Sequence, residues 1–492
     1  MPSSCIEFFT VFTISATFAL LAAPLTFAQE PTRQRVPQSP PHHRPNEIGW
    51  NLAPEDRKYA AIDGNHLMEF VKDQTAISRH YRDNGHPQYW GRITGTDADA
   101  ENAEWMMTKL KAIGLEDVHE QMFDLQPQWV PQSWSAVVSL HGKSIPLNSA
   151  QPTFLAKGTN GTVDLEAVYA GMASEAEIKL GSDVTGKAVF FYSNDTGSRH
   201  VGISDNAIKR LSDRGAAAIF VIPGVPLDEK TQFYPVNAPV PTFSLGTKEG
   251  LAVRDMIGGA ANEPVHLKLN LDVKMQPGLK SGTVWGTLKG TTDENVVVVA
   301  HRDGWFEGAN DNGTGVATLL GLAEYFAKIP KSLRKRTIIF AGTDGHHDNG
   351  AESGVWFLDH PEFFAKTALL FNCEHTGLKD TGLGLSAWSN APSTYRWYAG
   401  DSPALLKVAI HALDAFGIPT FPDSLPTPSG ETTRYYFLAP SVQIINTGYV
   451  WHSDKENDES ISIPGMAAVT RAYAKIVADT DNIPLADLRA KK

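Results

Sequence analysis

The chain has 492 residues, of which 42% are hydrophobic and 20% charged. This mixture is typical of globular proteins and predicts about two to four domains with a sizeable core. The formal net charge of −12 argues against binding to nucleic acid or to anionic membranes.

The first 28 residues have the features of an export signal. The apolar stretch FFTVFTISATFALLAAPLTFA ends at Thr26, Phe27 and Ala28, which fit the small-x-small rule for cleavage. The preceding MPSSCIE has no Lys or Arg, so an uncut membrane anchor is the alternative interpretation. We predict a signal peptide over residues 1–28, a secreted or periplasmic protein, and no stable membrane insertion after cleavage.

A proline-rich linker is predicted over residues 29–48. The stretch QEPTRQRVPQSPPHHRPNE contains five prolines and few apolar side chains, which favours an extended chain. His42 and His43 are therefore interpreted as solvated linker residues.

Cysteine is sparse, with two residues in the chain, Cys5 and Cys373. Removal of the signal would leave Cys373 alone and exclude an intrachain disulfide. We expect Cys373 to be a buried, unreactive side chain.

Three segments are predicted after the linker. Residues 49–150 begin the main domain, where DAENAEWMMTKLKAIG predicts a helix that stops at Gly114. Residues 151–275 predict a small inserted α/β module, with GKAVFFY, AAAIFVI and VPTFSL as short strands and NAIKRLSDRG as a helix. The main domain resumes over residues 276–485.

Strands and helices alternate in this last segment. VVVVA, RTIIFA, TALLF and SVQIIN are continuous apolar runs, and GTGVATLLGLAEYFAK is an amphipathic helix. Continuous hydrophobicity predicts strands that are covered on both faces. The expected fold class is therefore α/β, a mostly parallel sheet flanked by helices, with a smaller inserted α/β domain.

Residue types that bind metals follow each of these four strands. In open α/β sheets, ligands bind beyond the carboxyl ends of the strands, so the four sets are expected to converge. The residues in question, in chain order, are His301, Asp303 and Asp311, then Asp344, His346, His347 and Asp348, then Glu374 and His375, and finally His452 and Asp454.

Imidazole and carboxylate groups without cysteine ligands predict an open catalytic zinc site. A carboxylate can bridge two ions about 3.5–4 Å apart. Asp311 is the best candidate for such a bridge, because it lies in the glycine-rich turn GANDNGTG. Asp303, two residues after His301, is suited to accept the imidazole N–H and fix its tautomer.

The pattern H-x-D followed by G-A-N-D-N-G-x-G resembles the zinc aminopeptidase family, which includes bacterial leucyl aminopeptidases and glutamate carboxypeptidase. The resemblance extends over most of residues 85–475, includes YVWHSDKEND, and makes residues 151–275 similar to a protease-associated (PA) domain. It implies two zinc ions per chain and a peptide substrate. It also implies that His301 and Glu374 bind the first ion, that Asp311 bridges, and that His452 binds the second ion, with Glu374 standing where the family usually has Asp.

The main departure from the family is GTDGHHDNG, where two adjacent glutamates are typical. The first glutamate is the general base and the second binds zinc. His347 can replace the ligand, because imidazole binds zinc well. His346 is the expected base, with Asp344 or Asp348 as alternatives. His375 is interpreted as a structural neighbour of Glu374, and Asp454 and Asp458 as loop charges.

We therefore predict a secreted di-zinc metallopeptidase, an aminopeptidase in which His346 and Asp303 serve catalysis. The alternative is a metal-binding receptor on the same scaffold with weak or no activity, as the missing glutamate base suggests. An acyl-transfer enzyme resembling glutaminyl cyclase is a third possibility, which the insert and the bridging motif disfavour. The oligomeric state stays open.

Overall fold

A computed structural model of the chain describes residues 52–181, 183–193, 202–225, 228–236, 238–261, 263–347, 355–380, 392–400 and 402–490. The predicted signal peptide and linker, and Asp348, lie outside these ranges. Across the ranges searched, none of the helices is both long enough and apolar enough for a membrane span.

The regular elements follow in chain order. The strands are β1 (Gly91–Arg92), β2 (Glu116–Asp124), β3 (Gln128–Leu140), β4 (Lys143–Pro146), β5 (Gln151–Pro152), β6 (Val163–Tyr169), β7 (Ala188–Ser193), β8 (Ala218–Pro223), β9 (Thr242–Ser244), β10 (Val265–Gln276), β11 (Lys280–Leu288), β12 (Asn295–His301), β13 (Gly304–Trp305), β14 (Thr337–Thr343), β15 (Thr367–Cys373), β16 (Arg396–Ala399) and β17 (Ser441–Ile445). The helices are α1 (Gly64–Asp83), α2 (Asp97–Ile113), α3 (Glu175–Leu180), α4 (Gly202–Asp213), α5 (Thr247–Gly258), α6 (Gly315–Ala327), α7 (Val355–Asp359), α8 (Pro361–Ala365), α9 (Pro403–Ala415), α10 (Ile463–Thr480) and α11 (Leu485–Arg489).

The main sheet contains seven strands in the described part of the chain, in the order β16-β17-β15-β12-β14-β11-β2. The four predicted strands are its centre, and β17, β15, β12 and β14 pair in parallel. The remaining pairs, which involve β16, β11 and β2, are antiparallel. The α/β fold class is confirmed, but the sheet is mixed and not mostly parallel, since three of the six pairings between its described strands are antiparallel.

Strand β12 shows why its apolar run is continuous. Val296, Val298 and Ala300 pack into a core formed with α1, α2, α6 and α10, whereas Val297 and Val299 pack into a second core on the opposite face. Both faces of the strand are therefore buried, as the run of valines predicted. The predicted helix stop is also found, because Gly114 follows α2 with a left-handed φ of 96°. Cys373 is free and buried, as expected.

The second sheet, with eight strands in the described ranges, has the order β4-β3-β10-β6-β7-β8-β9-β5. It includes the predicted insert but begins earlier than residue 151, because β3 and β4 belong to it. Trp134, Ala136 and Val138 of β3 pack into the same core as Leu267 and Leu269 of β10. The second sheet thus starts with β3 at Gln128, before the predicted domain boundary at 150/151, which itself stays a prediction.

A loop of the second sheet pairs with the chain that follows β17. Thr231 and Ser453 form an antiparallel bridge. On either side of it, the Gln232 amide donates to the His452 carbonyl at 2.9 Å and the Asp454 amide donates to the Lys230 carbonyl at 3.0 Å. The insert is therefore joined by backbone hydrogen bonds to a segment that carries a predicted metal ligand.

Candidate metal centre

The parallel strands bring the predicted ligands to one edge of the main sheet. His301 is the last residue of β12, Glu374 directly follows β15, and His347 follows β14 within a short turn. His452 lies on the loop after β17. All four are buried and, with Asp311, form overlapping groups whose ligand atoms lie within 4.8 Å of one another. The convergence predicted from the strand ends is found, while their roles as ligands stay predictions.

The turn that carries Asp311 is held from two sides. The buried Arg92 guanidinium donates to the carbonyls of Arg302 at 2.9 Å, Glu307 at 2.7 Å and Gly308 at 3.0 Å. The Glu456 carboxylate accepts from the Asp311 amide at 2.5 Å and, through its other oxygen, from the His452 amide at 3.0 Å. Glu456 thus fixes the Asp311 turn relative to the His452 loop.

Asp311 is surrounded by four imidazoles. Its Oδ1 lies 3.3 Å from His301 Nε2 and 3.2 Å from His375 Nε2. Its Oδ2 lies 2.9 Å from His452 Nε2 and 3.5 Å from His347 Nε2. One carboxylate therefore has two nitrogen atoms at each oxygen, which is the arrangement expected of a group shared by two cations.

The side chains present fit zinc. The Nε2 atoms of His301, His347 and His375 and Oδ1 of Asp311 are buried without a hydrogen-bond partner. Buried polar atoms without partners are costly, and a cation would satisfy all four. Imidazole nitrogen and carboxylate oxygen are the donors that open zinc sites use.

Asp303 supports two of these histidines. Its Oδ1 lies 3.3 Å from His301 Nδ1 and its Oδ2 lies 3.0 Å from His347 Nδ1. Oδ2 also accepts from the His347 amide at 2.8 Å. The Nδ1 atoms of both histidines thus face Asp303, with His301 Nδ1 also 3.2 Å from the Asp303 carbonyl, while their Nε2 atoms face Asp311. The support role predicted for Asp303 from the H-x-D spacing stays a prediction.

Charges in the centre favour a cation. Burial alone raises the pKa of Asp311, yet His375 and His347 hold it well below its ordinary value. Burial likewise raises the pKa of Asp303, which His347 and His301 keep well below its usual range. Both carboxylates are therefore ionised at neutral pH, in an environment closed to solvent.

His346 and Glu374 lie beside this group. His346 Nε2 is 3.9 Å from Glu374 Oε1, and the same oxygen is 3.9 Å from His301 Nε2. Burial, together with His301 and His347, lowers the pKa of His346 well below its ordinary value. His346, the predicted base, is thus a neutral imidazole at the edge of the centre.

Asp344, an alternative base, faces elsewhere. Its Oδ2 lies 3.3 Å from Arg302, which also binds Asp99 at 2.6 Å. Burial, with Asp99, raises the pKa of Asp344 well above its usual value. Asp344 is therefore part of a buried ion-pair group with Arg302 and Asp99, which disfavours it as the base compared with His346.

Residues that the sequence interpretation missed complete the centre. His375 was expected to be structural and instead reaches Asp311. Trp451 Nε1 donates to Asp311 Oδ2 at 2.7 Å. Tyr234, from the insert, packs edge-on against His452 with ring centroids 4.9 Å apart, and its hydroxyl lies 3.5 Å from His346 Nε2. In the sequence, the position of His375 directly after Glu374 and of Trp451 directly before His452 could have indicated a role in the site. No local pattern indicates Tyr234.

Comparisons with known proteins agree with this geometry. Residues 283–477 match the sequence profile of peptidase family M28. The chain is 23% identical over 388 residues to a probable glutamate carboxypeptidase, VP8, of Zea mays, an alignment covering 65% of this chain and 51% of the relative. The aligned region thus spans about half the length of that curated relative.

Two solved structures share the fold. A zinc aminopeptidase from Bacillus subtilis, BSAP, superposes with a TM-score of 0.62 and 17% identity, over 86% of this chain and 97% of that one. A peptidase M28 precursor from Shewanella amazonensis SB2B gives a TM-score of 0.64 and 16% identity, over 89% and 98%. Residues 283–477 are therefore similar to peptidase family M28, and the chain shares its fold with these two structures, one of which is a zinc aminopeptidase.

Proposed function

We propose that the protein is a secreted di-zinc aminopeptidase that releases N-terminal residues from peptides. The observation that carries the proposal is the position of Asp311, whose two carboxylate oxygens each face two imidazole nitrogens at 2.9 to 3.5 Å. His301 and Asp311 would hold the first ion, and Asp311, His347 and His452 the second. The predicted signal peptide supports secretion, and the likeness to zinc aminopeptidases supports the choice of substrate.

Bound zinc supplies Lewis-acid polarisation of a carbonyl group and activation of water. The residues of the chain supply orientation and proton transfer. Asp303 holds His301 and His347 by their Nδ1 atoms, so that both Nε2 atoms stay aimed at the centre.

His346 is the proposed proton carrier. Its Nε2 faces Glu374 Oε1, 3.9 Å away, on the side of the centre that Tyr234 also reaches. A proton taken up at this nitrogen would be stabilised by the Glu374 carboxylate and then passed to the leaving amine. Tyr234 and Trp305 close the neighbouring side with aromatic rings 5.5 Å apart, which excludes bulk water.

The insert belongs to this proposal as a wall of the site. We assign it as a PA-like domain on its likeness in sequence, and Tyr234 is its contribution to the centre.

A metal-binding receptor without activity is the second candidate, favoured by the imidazole that stands where the family has a carboxylate base.

The test uses zinc-loaded protein and a panel of aminoacyl p-nitroanilides, with N-acetylated versions as controls. We expect hydrolysis of free-amino substrates alone, and a fall of about 10²- to 10⁴-fold in kcat for His346→Ala at unchanged zinc content. Wild-type protein that holds two ions per chain but hydrolyses nothing in the panel would favour the receptor instead. Cleavage of the acetylated substrates would exclude an aminopeptidase.

A further inference from the structure

We propose that His375, and not Glu374, is the third protein ligand of the first metal ion. The inference deepens the proposed function, because it assumes that a metal centre exists. It differs from the assignment that the family resemblance implies, in which the acidic residue after β15 binds the metal.

The imidazole of His375 is held in the tautomer that a ligand needs. Its Nδ1 lies 3.0 Å from the Asn446 carbonyl, which can only accept a hydrogen bond. Nδ1 therefore carries a hydrogen, and Nε2 is the nitrogen available to bind a cation. That Nε2 is buried without a hydrogen-bond partner and lies 3.2 Å from Asp311 Oδ1.

The backbone at His375 adopts a conformation that is rare for side chains other than glycine. Its φ is +50°, in the left-handed region, and His452 shares this feature with a φ of +59°. The His375 amide donates to Asn312 Oδ1 at 3.2 Å, and Asn312 Nδ2 donates in turn to the carbonyls of His301 and Cys373. Strained backbone that neighbouring contacts maintain is often found at functional sites.

The carboxylate of Glu374 is held by hydrogen bonds to two side chains outside the group around Asp311. Its Oε2 accepts from Asn372 Nδ2 at 2.5 Å and from Gln443 Nε2 at 3.0 Å. Gly430 covers the carboxylate so closely that any side chain at that position would collide with it. The groups of potential ligand atoms in the described chain place Glu374 with His301 and His346, whereas His375 shares a group with His301 and Asp311.

The assignment gives each ion the same kind of ligand set. His301, His375 and Asp311 would hold the first ion, and His347, His452 and Asp311 the second. Two imidazoles and one carboxylate are the protein ligands of several catalytic zinc sites and leave a position open. Compared with a site that uses Glu374, this centre is richer in imidazole, which disfavours Mg²⁺ and Mn²⁺ relative to Zn²⁺ and Co²⁺.

The experiment compares zinc affinity in wild type, His375→Ala and Glu374→Gln, measured by competition with a chromogenic chelator. We expect one of the two zinc sites to lose at least ten-fold in affinity in His375→Ala, and neither site to change more than three-fold in Glu374→Gln. The opposite ranking of the two variants would overturn the inference.

A second measurement serves if His375→Ala does not fold. In Co²⁺-substituted wild type, the Nδ1–H of a ligand histidine gives a strongly shifted, exchangeable proton signal. We expect such a signal from His375, identified by its loss in His375→Gln, with the signals of His301 and His347 retained. Absence of a signal that depends on residue 375 would refute the assignment, whereas wild type without bound metal would refute the proposed function itself.

Discussion

Asp303 contacts three histidines of the cluster, His301, His346 and His347. It accepts from the backbone amides of His346 and His347 as well as facing the Nδ1 atoms of His301 and His347. A single buried carboxylate thus contacts one predicted ligand of each proposed ion, His301 and His347. Residues in this position usually control metal affinity as strongly as they control ring orientation.

Asp303→Asn is expected to weaken zinc binding by about 10- to 100-fold, because an amide cannot accept from both imidazoles. The measurement is chelator competition on purified protein, with folding checked by circular dichroism. Asp293→Asn, in an exposed ion pair with Lys366, is the matched control. Equal zinc affinity in Asp303→Asn and wild type would remove the support role from Asp303.

His301, Asp311 and His452 could be found from the sequence, since each occurs in a distinctive local pattern. His375 could not, because its orientation depends on a left-handed backbone and on the Asn446 carbonyl, which is 71 positions away. Asp344 was similarly ambiguous. Strand ends predict which residues reach the sheet edge, but the partner Arg302 decides that Asp344 turns away from the centre.

The loop from Asp228 to Val236 links the insert to the metal centre. Beside Tyr234 it carries Glu229, a side chain that is 2% exposed. Burial and the nearby Asp454 carboxylate raise the pKa of Glu229 from 4.5 to about 8, against the smaller effects of Ser453, Thr231 and Lys455. A charged Glu229 is therefore unfavourable in the folded state.

The raised pKa predicts a pH-dependent stability. Between pH 4.5 and about 8 the folded chain retains a proton that the unfolded chain has lost. The contribution of Glu229 to the free energy of unfolding is therefore complete below pH 4.5 and declines as the pH rises towards 8.

Glu229→Gln removes this titration and should stabilise the protein by about 1–3 kcal/mol at pH 8 to 9. The gain over wild type is expected to shrink as the pH falls towards 5. The difference in Tm between wild type and Glu229→Gln from pH 5 to 9 measures this gain. Glu104→Gln, at an exposed position of α2, is the control. A difference in Tm that is constant over this pH range would contradict the raised pKa of Glu229.

The central strands of the main sheet could be predicted because both of their faces are buried, which produces unbroken apolar runs. Strands β3 and β4 were missed. In β3 the buried Trp134, Ala136 and Val138 alternate with more exposed residues, and its partner β10 lies more than a hundred positions later. The pairing with distant residues, which the local sequence does not show, therefore determines that these segments are strands of the second sheet.

At the scale of the whole molecule, the metal centre joins loops from all four parallel strands. Without cations, the carboxylates of Asp303 and Asp311 are compensated mainly by the neighbouring imidazoles, with Trp451 Nε1 and backbone amides as further donors. Bound ions would connect four otherwise separate chain segments, and their binding free energy would add to the stability of the fold.

Removal of zinc with a chelator is expected to lower the Tm, and re-addition of Zn²⁺ to restore it. Free zinc at 100 times its dissociation constant corresponds to about 2.7 kcal/mol of stabilisation. Mg²⁺ should not substitute, because it prefers oxygen ligands. Differential scanning calorimetry of apo and zinc-loaded protein is the measurement, and identical unfolding curves would argue against a metal centre.

The pairing of Lys230 and Gln232 with Asp454 and His452 limits how this protein can be shortened. Deletion of residues 151–275 would remove the backbone hydrogen bonds that hold the loop of His452. It would also expose the side of the centre that Tyr234 covers. A shortened variant would therefore need a substitute strand that pairs with residues 452–454. Loop replacements elsewhere in the insert would leave this pairing intact.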